Sequence, residues 1–65
     1  MGTRIGELEV SYSARGNPSY FIEMWHDELK KHRLVKGNDA EVVARKALIQ
    51  AQEWNDYVGL RSRFI

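Results

Sequence analysis

Gly37-Asn38-Asp39-Ala40-Glu41-Val42-Val43-Ala44-Arg45-Lys46-Ala47 is the stretch that decides the fold. Asn38, followed three residues later by Glu41, reads as a capping box with Asn in place of Ser or Thr. Asp39 and Glu41 stand where the helix dipole favours negative charge. From there Val43, Ala47, Ala51, Trp54 and Val58 recur at helical spacing, with Ala40, Ala44 and Tyr57 beside them. Gln50 interrupts that stripe, and Val42 and Ile49 lie on the far side, one above the other. Glu41 and Arg45 are spaced for an i,i+4 ion pair on the outer face. Gly59 is a natural C-cap with Leu60 beyond it, so the spacing predicts one helix from about residue 39 to 57. Trp54 sits on the apolar stripe and reads as core.

Upstream, the period changes from helical to alternating. In residues 5–13, Leu8, Val10 and Tyr12 alternate with Glu7, Glu9, Ser11 and Ser13, the pattern of a half-buried strand. Arg15-Gly16-Asn17-Pro18 ends it, since Gly16 accepts positive φ and Pro18 removes a ladder donor. Residues 19–26 are a second strand, with Tyr20, Ile22 and Met24 on one face and Phe21, Glu23 and Trp25 on the other. Residues 31–36 are a third and shorter one, close enough to pair as a hairpin. No Asn-Gly or Asp-Gly fixes its register, and a slip of one residue inverts a face. The register favoured here puts Leu34 with Ile22 and Met24, leaving Phe21, Trp25, Lys31, Arg33 and Val35 together on the opposite face. The expected fold is a single α+β domain over residues 1–65: a three-stranded antiparallel sheet in β-β-β-α order, packed on one C-terminal helix.

Composition sets the bounds. The chain has 65 residues, 43% hydrophobic and 29% charged, which suits a folded chain with one core. Ten Lys+Arg against nine Asp+Glu leave a net charge of +1 and no overall basic field. Absence of cysteine removes disulfides, thiolate metal sites and a cysteine nucleophile, and fits a cytoplasmic setting. No apolar run approaches the roughly 20 residues of a membrane span, so no membrane partner is expected. A domain this short and unstapled is expected to lean on a partner, a second copy or a longer chain.

Catalytic chemistry finds little support. Ser11, Ser13, Ser19 and Ser62 lack a paired base, Glu7 and Glu9 read as the solvated face of a strand, and no glycine-rich phosphate loop exists. His26, Asp27 and His32 could meet across a hairpin, but the spacing matches no metal motif. Neither an enzyme, a metal nor a cofactor is expected. The concentrated cations are Lys30, Lys31, Arg33 and Lys36, with His32 among them. On the favoured face they interleave with Phe21 and Trp25, which suits phosphate neutralisation with packing on sugars or bases. The expected nucleic-acid-binding set is therefore Arg15, Phe21, Trp25, Lys30, Lys31, Arg33 and Lys36.

The strand order, the short basic third strand and the Ala-bearing helix carry a resemblance. Through Ser19-Tyr20-Phe21, Lys36-Gly37-Asn38-Asp39 and Ala47, residues 8–58 resemble the arm-binding domains of tyrosine recombinases and the plant APETALA-type domains. That resemblance implies binding of double-stranded DNA through the exposed face of the sheet. The chain departs from those families in placing Glu7, Glu9 and Glu23 on that face and in offering chiefly Arg33 among strand arginines. The same order is similar to the amino-terminal part of HicB-type antitoxins, without their acidic Pro-rich turn. The competing expectation is a protein-interaction or dimerisation module, with Phe21, Trp25 and Val35 as an exposed patch and Val42 with Ile49 as a smaller one. The alternative to both binding roles has Lys-bearing edge protection with Glu23 paired to Arg33 across strands, and Trp25 covered by the tail residues Phe64 and Ile65 instead of open to a partner.

Overall fold

The computed structural model describes residues 2–63. Four strands, β1 (Thr3–Ile5), β2 (Glu9–Tyr12), β3 (Pro18–His26) and β4 (Lys31–Gly37), precede one helix, α1 (Ala40–Arg63). β3 is the centre of an antiparallel sheet, with β4 along one side and β1 and β2 in succession along the other. The expected α+β class holds.

The strand expected over residues 5–13 is an edge divided by a bulge. Ile5 pairs Met24 while Glu9 pairs Phe21. Three residues, Gly6, Glu7 and Leu8, therefore oppose the two residues Glu23 and Ile22. One extra residue bends the edge and shifts the register by one. The Gly6 N–H donates to the Glu23 carbonyl at 2.7 Å and anchors the bulge. Alternation alone cannot reveal such an insertion, because the residues on each side keep their own period of two.

Both hairpin turns follow from their residues. Gly16 has φ of 84° and its N–H donates to the Ser13 carbonyl at 2.8 Å, while the Ser13 N–H donates to the Asn17 carbonyl at 2.9 Å. This three-residue loop with glycine in the left-handed region is a common hairpin connection. Pro18 begins β3, where a missing N–H costs least. Between β3 and β4 the loop has four residues, Asp27 to Lys30, and Lys30 takes φ of 57°.

That loop length sets the register of β4 and overturns the sequence-favoured one. His26 pairs Lys31, so every partner sum is odd: Ile22 faces Val35, Met24 faces Arg33 and Glu23 faces Leu34. Val35, Arg33 and Lys31 lie on the side of the sheet that meets α1; Leu34, His32 and Lys36 lie on the other. Burial agrees with this, Val35 being 3% exposed and Leu34 43%.

The core is Ile22, Met24, Val35, Val43 and Ala47, with Tyr20, Ala51 and Trp54 packed around it. The helical stripe thus covers the sheet as its periodicity requires, and Trp54 packs as expected. Gln50, the polar residue on the stripe, is 9% exposed and accepts a hydrogen bond from the Arg33 guanidinium. Arg33 itself stays exposed at the sheet edge, so the bond serves chiefly to satisfy the buried amide of Gln50. His26, 3% exposed, accepts from the Leu29 N–H through Nδ1 at 3.1 Å and meets Trp54 edge-on at 5.9 Å.

Two helix boundaries differ from expectation. The N-cap is Asp39, not Asn38: its Oδ1 accepts from the N–H groups of Glu41 at 2.9 Å and Val42 at 3.3 Å. At the other end α1 runs through Gly59 to Arg63, where a C-cap had been expected. Glu41 and Arg45 form no ion pair. No described helix is long and apolar enough to cross a membrane. Phe64 and Ile65, expected to cover Trp25, lie outside the described residues.

Candidate functional site

The odd-numbered residues of β3 point away from α1, and their cross-strand partners join them. Three rows result: Arg4, Trp25 and His32; Glu23 and Leu34; Glu9, Phe21 and Lys36. No described element covers this face, yet Phe21, Glu23 and Trp25 are half-buried. Their neighbours on the flanking strands shelter them.

The charges here are used within the face. The Arg4 guanidinium lies 5.5 Å from the Trp25 ring centre, and its Nη2 reaches Asp27 Oδ1 at 3.0 Å. On the other side of Trp25 the His32 ring stacks at 5.6 Å with a 31° tilt, and His32 Nε2 meets Glu23 Oε2 at 3.0 Å. A chain of contacts, Asp27–Arg4–Trp25–His32–Glu23, thus crosses the sheet. The Arg4–Asp27 ion pair and the His32–Glu23 hydrogen bond are both about half exposed or more, so each is worth a few tenths of a kcal/mol to about 1 kcal/mol. Their larger effect is to fix the Trp25 ring in place. In the third row, Glu9 and Lys36 stand on either side of Phe21. Arg4 and Lys36 are thus matched by Glu9 and Glu23, and the face carries no basic excess.

The seven residues expected to bind nucleic acid do not converge. Phe21, Trp25 and Lys36 share the open face. Arg33 is on the opposite side, bonded to Gln50, and its expected partner Glu23 pairs with His32 instead. Lys31 is also on the helix side, bordering an open cleft of about 390 Å³ lined with Leu29, Gln50, Glu53, Trp54 and Tyr57. Val35, expected in the exposed patch, is core, and Leu34 takes its place. Arg15 occupies the β2–β3 turn and Lys30 the β3–β4 turn. The nine residues of β3 separate these turns by about 30 Å. His26 and His32, considered together as metal ligands, point to opposite faces.

Arg4 is the residue that sequence reading missed. It precedes the recognised strand, and only the pairing of β1 with β3 brings it beside Trp25. The signal available was slight: one cation before an Ile, with the strand's period broken by the bulge. Comparisons with protein-family models, curated proteins and solved structures return no match to this chain.

Proposed function

We propose that the chain is a non-catalytic protein-docking module that takes its partner on the open sheet face. The observation that carries this reading is the neutralised face itself, in which Arg4 and His32 are held against Trp25 by Asp27 and Glu23. A half-buried aromatic centre of Phe21 and Trp25, with Leu34 beside them and a mixed-sign polar rim, has the anatomy of a protein interface. Trp is among the residues enriched at the centres of such interfaces. Duplex DNA would instead require a surplus of free cations, because phosphate neutralisation dominates that affinity.

The nucleic-acid reading, which the family resemblance suggests, keeps one specific support. The β2–β3 ribbon carries Arg15 at its tip, and α1 packs on β1, β3 and β4 but not on β2. That tip is accessible, but Arg15 and Lys36 together would neutralise only a couple of phosphates. Partner class can be read directly by placing a photo-cross-linking residue at position 34 in cells that make the chain, with position 48 on α1 as the control. Protease-sensitive protein adducts specific to position 34 are expected. Nuclease-sensitive adducts there, or none above the control, would refute the docking reading.

A further inference from the structure

The outward side of α1 carries Val42, Ile49 and Leu60, which are 38%, 50% and 51% exposed. At ~100° per residue, all three fall within one narrow line down the helix. Leu60 joins that line only because α1 continues through Gly59. Arg45 and Asp56 border the ridge on one side, Lys46 and Glu53 on the other. Among the described residues none of these four makes an ion pair within the chain. Their order is cations nearer the N-terminus and carboxylates nearer the C-terminus, so the two signs are segregated along the ridge.

We infer that this ridge is a self-association surface, on which α1 of a second copy lies antiparallel. A two-fold axis level with Ala51 sets Val42 opposite Leu60 of the second copy and brings the two Ile49 residues to about 6 Å of each other along the helix axis. The same axis places Arg45 beside the second copy's Asp56, offset by one residue. It places Lys46 within one turn of the second copy's Glu53, on the other flank. Two-fold symmetry repeats each pair, so both borders of the ridge become complementary at once. A parallel arrangement would set cation against cation. Three half-exposed apolar side chains make a small interface, so the dimer is of modest affinity. Because the ridge is on the side of α1 away from the sheet, dimerisation leaves both open sheet faces outward and makes the proposed docking module bivalent. The inference itself does not depend on what the open face binds.

Charge reversal tests it at exposed positions that spare the core. Sedimentation of the free chain at concentrations up to about 1 mM should show a reversible dimer. Lys46→Glu and Glu53→Lys should each weaken it about tenfold or more, since each turns two attractions into repulsions. The two substitutions combined should restore association to near the parent level. Ile49→Glu should abolish it, and Trp25→Ala should leave it unchanged. Circular dichroism checks that each variant is folded. Should a Lys46 or Glu53 variant fail to fold, Arg45→Glu with Asp56→Arg applies the same swap on the other flank. A strictly monomeric parent would overturn the inference, as would failure of the combined swap to restore association. A dimer lost with Trp25→Ala but kept with Ile49→Glu would place self-association on the sheet instead.

Discussion

Leu34 and Val35 are neighbours on β4 whose truncations should differ sharply in cost. Val35 is 3% exposed and packs with Ile22, Met24, Val43 and Ala47. Val35→Ala removes two methyl groups, worth about 1.6 kcal/mol at 0.8 kcal/mol each. The cavity left among fixed neighbours raises the cost to about 2–3 kcal/mol. Leu34 is 43% exposed on a face with no layer above it. Leu34→Ala removes more carbon but leaves no enclosed void, and should cost about 0.5–1 kcal/mol. A chain of 65 residues has roughly 3–10 kcal/mol of stability to lose, so the difference is easily resolved. Urea unfolding followed by Trp fluorescence should show the midpoint falling by about 2–3 M for Val35→Ala and less than about 1 M for Leu34→Ala, with a slope near 1 kcal/mol per M. The register that sequence alone favours requires the reverse order. Equal costs, or a larger cost at Leu34, would refute the pairing of Ile22 with Val35 and the composition of the open face with it.

Two further substitutions test the helix boundaries. Asp39→Ala should cost about 1 kcal/mol by denaturant titration, through loss of its bonds to Glu41 and Val42, whereas Asn38→Ala should change stability by a few tenths. A larger effect at Asn38 would reverse the cap assignment. Gly59→Ala should stabilise by about 0.5–1 kcal/mol and raise Tm by about 3–6 °C, because Gly59 is inside α1 and nothing lies within 4 Å of the added Cβ. A lowered Tm in calorimetry would mean that α1 stops there after all.

The helix and the central strand were legible because each rests on one period sustained over many residues. Val43, Ala47, Ala51 and Trp54 all face the sheet, and Ile22 and Met24 all face the helix. What escaped was parity. One extra residue among Gly6, Glu7 and Leu8 splits the first strand. A four-residue loop closed by Lys30 in the left-handed region inverts β4. Neither feature has a residue signature as clear as Gly16, since Lys30 is a non-glycine in a glycine conformation. That inversion takes Arg33 from the open face to the helix side, where its bond to Gln50 accounts for the polar interruption of the helical stripe. Gly59 shows the opposite failure: a strong local stop signal that the chain overrides at a cost of about 1 kcal/mol. The aromatic members of the site, Phe21 and Trp25, were legible from β3 alone. Its cations were not, because their faces depend on pairing.

The claim that the open face is a neutral docking surface rather than a phosphate-binding one is tested most directly by titrating the chain with mixed-sequence duplex DNA and following amide shifts by NMR at low and moderate salt. The expected result is that Phe21, Trp25, Leu34 and Lys36 do not move. Any residual shift should stay near Arg15, with log K falling against log salt no more steeply than a slope of about −2. Shifts spread across Phe21, Trp25 and Lys36 with a slope of about −4 or steeper would contradict it.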